Sequence, residues 1–277
     1  MTDTTTVIDR YALVGHPVSH SHSPTIHRLF AKQTAQQMTY ELIDATVEEF
    51  EVAVRGFKAA GGKGLNITVP HKERALRIAS DAAPSAEQAG AANTLDFAGG
   101  SIIAHNTDGI GLIRDLTVNL GIELARKNIL ILGAGGAVRG ILGPLYAAKI
   151  GRLIVANRTL SRAAQLQKEM TEHAVFDVCG FDELDEIPPA DIVINATSAG
   201  VKGEAAPFPE SIFSADTFCY DLSYSVKDTP FVLLARASGA GDCVQGWGML
   251  VEQAAESFAI WRGIRPDTDP ILQKLQR

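Results

Sequence analysis

An apolar run from Asn128 to Leu132 passes directly into Gly133-Ala-Gly-Gly-Ala137, and a stretch with helical spacing follows to about Ala148. This junction restricts the fold more than any other segment. An unbroken apolar strand asks to be covered on both faces. Glycines between strand and helix let the backbone approach a pyrophosphate, and the helix start offers free N–H groups and partial positive charge. The string departs from G-x-G-x-x-G at its sixth position, where Val138 stands, with Gly140 two residues later. Further strands are predicted at 152–156, 191–195 and 218–222, and a helix over 161–173. Residues 110–248 are therefore expected to form a doubly wound Rossmann domain that binds a dinucleotide.

The end of the next strand bears on which dinucleotide. NAD-binding domains usually place Asp or Glu there to hold the ribose hydroxyls. Here the strand ends in Asn157-Arg158-Thr159, with Arg162 one turn later. Guanidinium groups chelate a 2′-phosphate, and Asn157 and Thr159 add hydrogen bonds. NADP(H) is the expected cofactor, the alternative being that Arg158 and Arg162 form only a solvated helix start.

The chain has 277 residues, enough for two domains, and its hydrophobic fraction of 46% supplies their cores. Before the Rossmann segment, strands are predicted at 11–14, 38–43 and 65–69. A helix begins near Ser23, its expected N-cap, with Pro24 in the first turn, and another covers 47–60. The alternation predicts a second α/β domain with largely parallel strands, residues 1–109. A helical segment at 249–261 is long enough to fold back onto it, so 249–277 are assigned to the same domain.

Polar residues of this first domain gather at strand ends and in loops. Ser21 and Ser23 stand in alternate positions before a helix, suited either to a small carboxylate or to simple capping. Lys72 follows a strand end, and Asn93, Thr94, Asn106, Thr107 and Asp108 add amides, hydroxyls and a carboxylate. Together these describe a pocket for a polyhydroxylated acid. His16, His20, His22 and His27 lack a neighbouring Cys, Asp or Glu that would complete a ligand set, so no metal is expected.

With 25 Lys and Arg against 32 Asp and Glu, the formal charge is −7. A nucleic-acid partner is not expected, and any anion must be held by a local cluster. No apolar run approaches the roughly 20 residues that span a bilayer. The N-terminus has no basic segment followed by an apolar one, and the cysteines Cys179, Cys219 and Cys243 are odd in number and unpaired in sequence. A cytoplasmic location is expected.

The segments Gly15–Pro24, Asn66–Lys72, Gly90–Thr94, Asn106–Gly109, Gly133–Ala137, Asn157–Arg162, Asn195–Gly200, Tyr220–Tyr224, Thr229–Phe231 and Gly248–Ala254 follow one another in the order typical of a known family. On these motifs the chain resembles the shikimate dehydrogenases over nearly its whole length. The resemblance implies NADPH-dependent reduction of 3-dehydroshikimate to shikimate in aromatic amino-acid biosynthesis. It implies that Ser21 and Ser23 bind the substrate carboxylate and that Thr68, Asn93, Asp108 and Gln253 bind ring hydroxyls, with Tyr224 close to the substrate. Lys72 is implied as the catalytic residue, itself touching substrate, with Asp108 as its partner. Gly133, Ala134, Gly135, Gly136 and Ala137 would hold the pyrophosphate. Asn157, Arg158, Thr159 and Arg162 would hold the 2′-phosphate, and Leu222 and Gly246 would line the nicotinamide side. Leu222 stands where the family often carries methionine. Two other readings stay open: a quinate/shikimate dehydrogenase using NAD or both cofactors, and a non-catalytic NADP-binding regulatory module. A monomer or homodimer is expected.

Overall fold

The structure, a computed structural model, describes residues 8–197 and 208–275, so Ser198 to Gly200 of the motif beginning at Asn195 lie outside the described residues. The chain divides into two compact units. One comprises the residues up to Thr107 together with Val251–Lys274, and the other runs Asp108–Leu250.

The first unit contains β1 (Asp9–Gly15), α1 (Ser23–Gln33), β2 (Met38–Asp44), α2 (Phe50–Ala59), β3 (Gly64–Ile67), α3 (Lys72–Ile78), β4 (Asp81–Ala82), α4 (Pro84–Ala89), β5 (Thr94–Asp96) and β6 (Ile103–His105). Its sheet has the order β2-β1-β3-β5-β6-β4. Val14, Leu65, Ile67 and Leu95 pack with Phe50 and Val54 of α2 in the core. The sheet is less parallel than its sequence predicts, because β5 runs antiparallel to both β3 and β6. A parallel pair needs a crossover of a dozen or more residues, and the connection between β5 and β6 is only residues 97–102.

The start of α1 also differs from expectation. His22, not Ser23, occupies the N-cap position. The capping acceptor comes one residue earlier still: Ser21 Oγ accepts from the Ser23 N–H at 3.2 Å and donates to Ser23 Oγ at 3.1 Å. Likewise α2 begins at Phe50, three residues later than the pattern predicts.

The second unit contains α5 (Asp108–Arg114), β7 (Ile129–Leu132), α6 (Gly136–Ala147), β8 (Leu153–Asn157), α7 (Leu160–Glu169), β9 (Asp177–Gly180), β10 (Ile192–Asn195), β11 (Phe218–Asp221), α8 (Pro230–Ala237) and β12 (Cys243–Gln245). The sheet order is β12-β11-β10-β7-β8-β9, with every pairing parallel. Counted from β7, this is the 3-2-1-4-5-6 order of a Rossmann sheet, and the order reverses between β7 and β10. Strand alternation sorts the core into two layers. Ile129, Ile131, Val155 and Ile194 pack with Val138 and Ile141 on one face. Leu130, Leu132, Ile154 and Val193 pack with Phe231 and Val232 on the other.

Gly109 has a packing reason of its own. A Cβ there would stand 2.3 Å from Pro144 Cγ and 2.4 Å from the Gly140 carbonyl oxygen, the carbonyl to which Pro144, lacking an N–H, cannot donate inside α6.

Two helices complete the chain, α9 (Trp247–Arg262) and α10 (Asp269–Leu275). Residues of α9 from Val251 onward belong to the first unit. There the Trp261 indole donates to the Leu95 carbonyl at 3.1 Å and stacks on Tyr11. A Cβ at Gly64 would lie 2.3 Å from the indole nitrogen, so β3 admits the ring only because residue 64 has no side chain.

Beside this contact His27 is fully buried, its ring stacked on Tyr40 at 4.2 Å. Neither ring nitrogen has a hydrogen-bond partner among the described residues. Burial lowers its pKa from 6.5 to about 3. His27 therefore stays neutral in the fold while the unfolded chain takes up a proton near pH 6.5. Below that pH the unfolded state binds more protons, and stability falls until about pH 3. Between pH 7 and pH 5 this group alone should cost the protein about 2 kcal/mol. Urea midpoints measured across that range should depend less steeply on pH in His27→Phe. An unchanged slope would show that His27 titrates normally in the fold.

Candidate active site

In the first unit, the loop after β1 brings several of the expected residues together. A Cβ at Gly15 would meet Thr68 Cγ2 at 2.3 Å and Val18 Cγ1 at 2.8 Å. The bare glycine thus lets the segment leading to Ser21 and Ser23 lie against Thr68, just past β3. Ser23 is buried, Ser21 and Thr68 are half-buried, and the two serine hydroxyls are joined to each other. Lys72 opens α3 and is half-buried.

Asn93 and Gln253 meet directly. The Asn93 amide donates to Thr107 Oγ1 at 2.9 Å and to Gln253 Oε1 at 3.2 Å. Its oxygen accepts from the Thr107 N–H at 2.8 Å and from the Thr94 hydroxyl at 3.0 Å. Behind it, the Asn66 amide donates to Thr94 Oγ1 and Ser257 Oγ, and Tyr40 donates to Asn66 Oδ1 at 2.8 Å. Asn93 thus belongs to a buried hydrogen-bonded lattice in which both of its amide protons already have acceptors. Tyr40 and Ser257 carry no signal of their own in the sequence. Ser257 becomes legible only from its place four residues after Gln253, on the same helical face.

In the second unit, Asp108 opens α5 and is 4% exposed. Gly133 has φ +112°, and a Cβ there would reach 3.0 Å from the Ala196 carbonyl, so the turn after β7 passes close to the end of β10. At Gly135 and Gly136 a Cβ would meet nothing within 4 Å. Helix α6 starts there without a side-chain cap, leaving its first N–H groups directed at that open space. This cradle fits a pyrophosphate. Ala134 packs on the core beside it, and Ala137 lies in the first turn of α6.

The end of β8 has the expected polar cluster. The Asn157 amide donates to the Thr159 carbonyl at 2.8 Å, shaping the turn. Arg158, Thr159 and Arg162 are exposed. The two guanidinium groups form no ion pair with any described residue, whereas Arg139 nearby in sequence is tied to Glu169. Arginines without an ion-pair partner among the described residues, and with no carboxylate at the strand end, fit a 2′-phosphate.

Leu222 follows β11, and its N–H donates to the Asn195 carbonyl. A Cβ at Gly246 would stand 2.6 Å from the Leu222 carbonyl oxygen, so the two segments touch. Tyr224 rests against Trp247 at 4.7 Å, and burial raises its phenol pKa. Asp221 is a residue that sequence reasoning missed. Fully buried, its carboxylate accepts from the Asn195 amide, the Ser223 N–H and the Thr229 hydroxyl, and burial raises its pKa. It ties together the ends of β10 and β11 and the start of α8. No group of three or more His, Cys, Asp or Glu among the described residues is placed to hold a metal ion.

Family models match three stretches of the chain. They are the shikimate dehydrogenase substrate binding domain over residues 13–95, shikimate/quinate 5-dehydrogenase over 116–202, and the shikimate 5′-dehydrogenase C-terminal domain over 246–276. A curated shikimate dehydrogenase (NADP(+)) from Alkalilimnicola ehrlichii is 51% identical over 97% of this chain and 98% of its own length. The chain belongs to the shikimate dehydrogenase family. Solved structures agree. An Ael1 enzyme from Pseudomonas putida superposes with a TM-score of 0.89 at 44% identity, covering 97% of this chain and 98% of that one. The shikimate 5-dehydrogenase of Thermus thermophilus, in complex with NADP(H) and shikimate, gives 0.85 at 31% identity, over 96% and 98% of the two chains.

Proposed function

We propose that this chain catalyses the reversible NADPH-dependent reduction of 3-dehydroshikimate to shikimate, a step in aromatic amino-acid biosynthesis. The observation that carries the reading is the full-length kinship to NADP-dependent shikimate dehydrogenases, in a chain that has both Lys72 and Asp108. We assign substrate binding to residues 1–109 with 249–277, and NADP binding to residues 110–248.

NADPH, when bound, supplies the hydride that adds to the C3 carbonyl carbon. Negative charge then develops on the carbonyl oxygen, where a cationic donor lowers the barrier by several kcal/mol, about 3 by typical magnitudes. Lys72 is the group assigned there: charged, it polarises the carbonyl and delivers the proton. Asp108 is assigned the second catalytic role. Ser21 and Ser23 hold the substrate carboxylate through their hydroxyls, and Thr68, Asp108 and Gln253 hold ring hydroxyls, with Tyr224 beside the substrate. Asn93 joins them by exchanging its 3.2 Å bond to Gln253, the longer of its two amide donations, for a bond to substrate. The Gly133–Ala137 turn holds the pyrophosphate. Asn157, Arg158, Thr159 and Arg162 hold the 2′-phosphate, and Leu222 and Gly246 wall the nicotinamide. The enzyme works as a monomer or homodimer in the cytoplasm; its three cysteines, all buried free thiols, suit a reducing compartment.

The test follows the near-ultraviolet absorbance of the reduced nicotinamide with shikimate or quinate and either oxidised cofactor. Shikimate with NADP+ should turn over fastest. Faster turnover of quinate with NAD+ would replace this reading, and no turnover with any combination would leave only a binding module.

A further inference from the structure

His71 occupies the N-cap position of α3, the helix whose first residue is Lys72, yet its side chain does not cap that helix. The imidazole is fully buried and lies flat on Phe50, the first residue of α2, with ring centroids 4.4 Å apart and 17° between the planes. Its Nε2 is 2.7 Å from the carbonyl oxygen of Ala45, just past β2. A carbonyl oxygen only accepts, so Nε2 carries the proton and donates. Nδ1 is then the bare nitrogen of a neutral ring, buried and without a partner among the described residues.

Packing alone does not call for this residue. A phenylalanine would make the same stack without burying an unpartnered nitrogen. What the imidazole adds is the bond to Ala45, which joins the start of α3 to the end of β2. A helix of seven residues has little stability of its own, and its first turn must be held from outside. The Ala92 N–H holds one point of it, donating to the Lys72 carbonyl at 2.9 Å. His71 holds the adjoining point through its side chain.

We propose that His71 is a positioning residue for Lys72, its ring fastening the first turn of α3 to the end of β2 and to α2 so that the lysine starts from a fixed backbone. The inference rests on Lys72 being the acid–base residue.

Two substitutions test it. His71→Phe keeps the stack and removes the donor; His71→Gln restores a donor at similar reach. In the Phe variant kcat should fall about tenfold or more while KM for shikimate stays within about threefold, because a small misplacement of a reacting group weighs on the chemical step. The Gln variant should recover most of that loss. A wild-type kcat in the Phe variant, or a Gln variant no faster than Phe when both melt like wild type, overturns the proposal. Should the Phe variant not fold, Phe50→Leu removes the stack instead; a lowered kcat at unchanged KM is expected there too, and an unchanged kcat overturns the proposal. Lys72→Ala, assayed in parallel, separates the two layers. A Lys72→Ala enzyme with near-wild-type kcat removes the underlying reading, whereas a collapse there beside an unaffected His71→Phe removes only the role of His71.

Discussion

Lys72→Ala should lower kcat by roughly a thousandfold, combining the loss of a proton donor with the loss of a cation at the developing oxyanion. The substrate Kd should change little. Among the other groups assigned to the substrate, the Ser21 and Ser23 hydroxyls are joined to each other, and the Gln253 backbone carbonyl accepts from the Thr107 hydroxyl at 3.0 Å. Stopped-flow turnover with saturating NADPH, together with calorimetric shikimate binding, checks both halves of the statement. A kcat within about tenfold of wild type would take the acid–base role from Lys72. Parallel loss of binding would instead assign the lysine to uniform binding of ground state and transition state.

Replacing Arg158 and Arg162 together with Ala should separate the two cofactors. Each guanidinium makes charge-assisted bonds worth about 1.5–3 kcal/mol to a phosphate, so removing the pair should weaken NADPH binding by about 100-fold or more, while NADH, which has no 2′-phosphate, should change by less than about threefold. Fluorescence titration of the reduced cofactors reads both affinities. Fold stability should be unaffected, because both side chains are exposed and neither is ion-paired with a described residue. Equal loss for the two cofactors would mean that the arginines act on something common to both, such as the pyrophosphate.

Much of the second unit was legible because its signals are local. The apolar run before Gly133 and the alternation inside it predict a strand covered on two faces, and Ile129 and Leu130 do face opposite cores. The absence of a carboxylate after β8 is equally a local property. The first unit was harder to read. Strand β5 is three residues long and gains its direction from a short connection to β6 that no periodicity reveals. The Ser23 cap was misplaced because a hydroxyl beside a proline satisfies the general rule, whereas here Ser21 supplies the acceptor from two residues upstream. Tyr40, Asn66, Thr94 and Ser257 form one hydrogen-bonded lattice, yet they lie as much as 217 positions apart in sequence, between Tyr40 and Ser257. Only three-dimensional proximity relates them. Gly109 closes the motif that begins at Asn106, and the structure gives it a packing reason, the close approach of α5 to α6 at Pro144.

In the role proposed for them at the 2′-phosphate, Arg158 and Arg162 would set the cofactor preference from exposed positions. Charges facing solvent act through a medium whose Debye length shrinks from about 10 Å at 0.1 M salt to about 3 Å at 1 M. The advantage of NADPH over NADH is therefore not a fixed constant of the protein. It is a joint property of the protein and its ionic surroundings, greatest in dilute buffer and narrowing as salt rises, while the proposed pyrophosphate cradle at Gly135 and Gly136 would serve both cofactors alike.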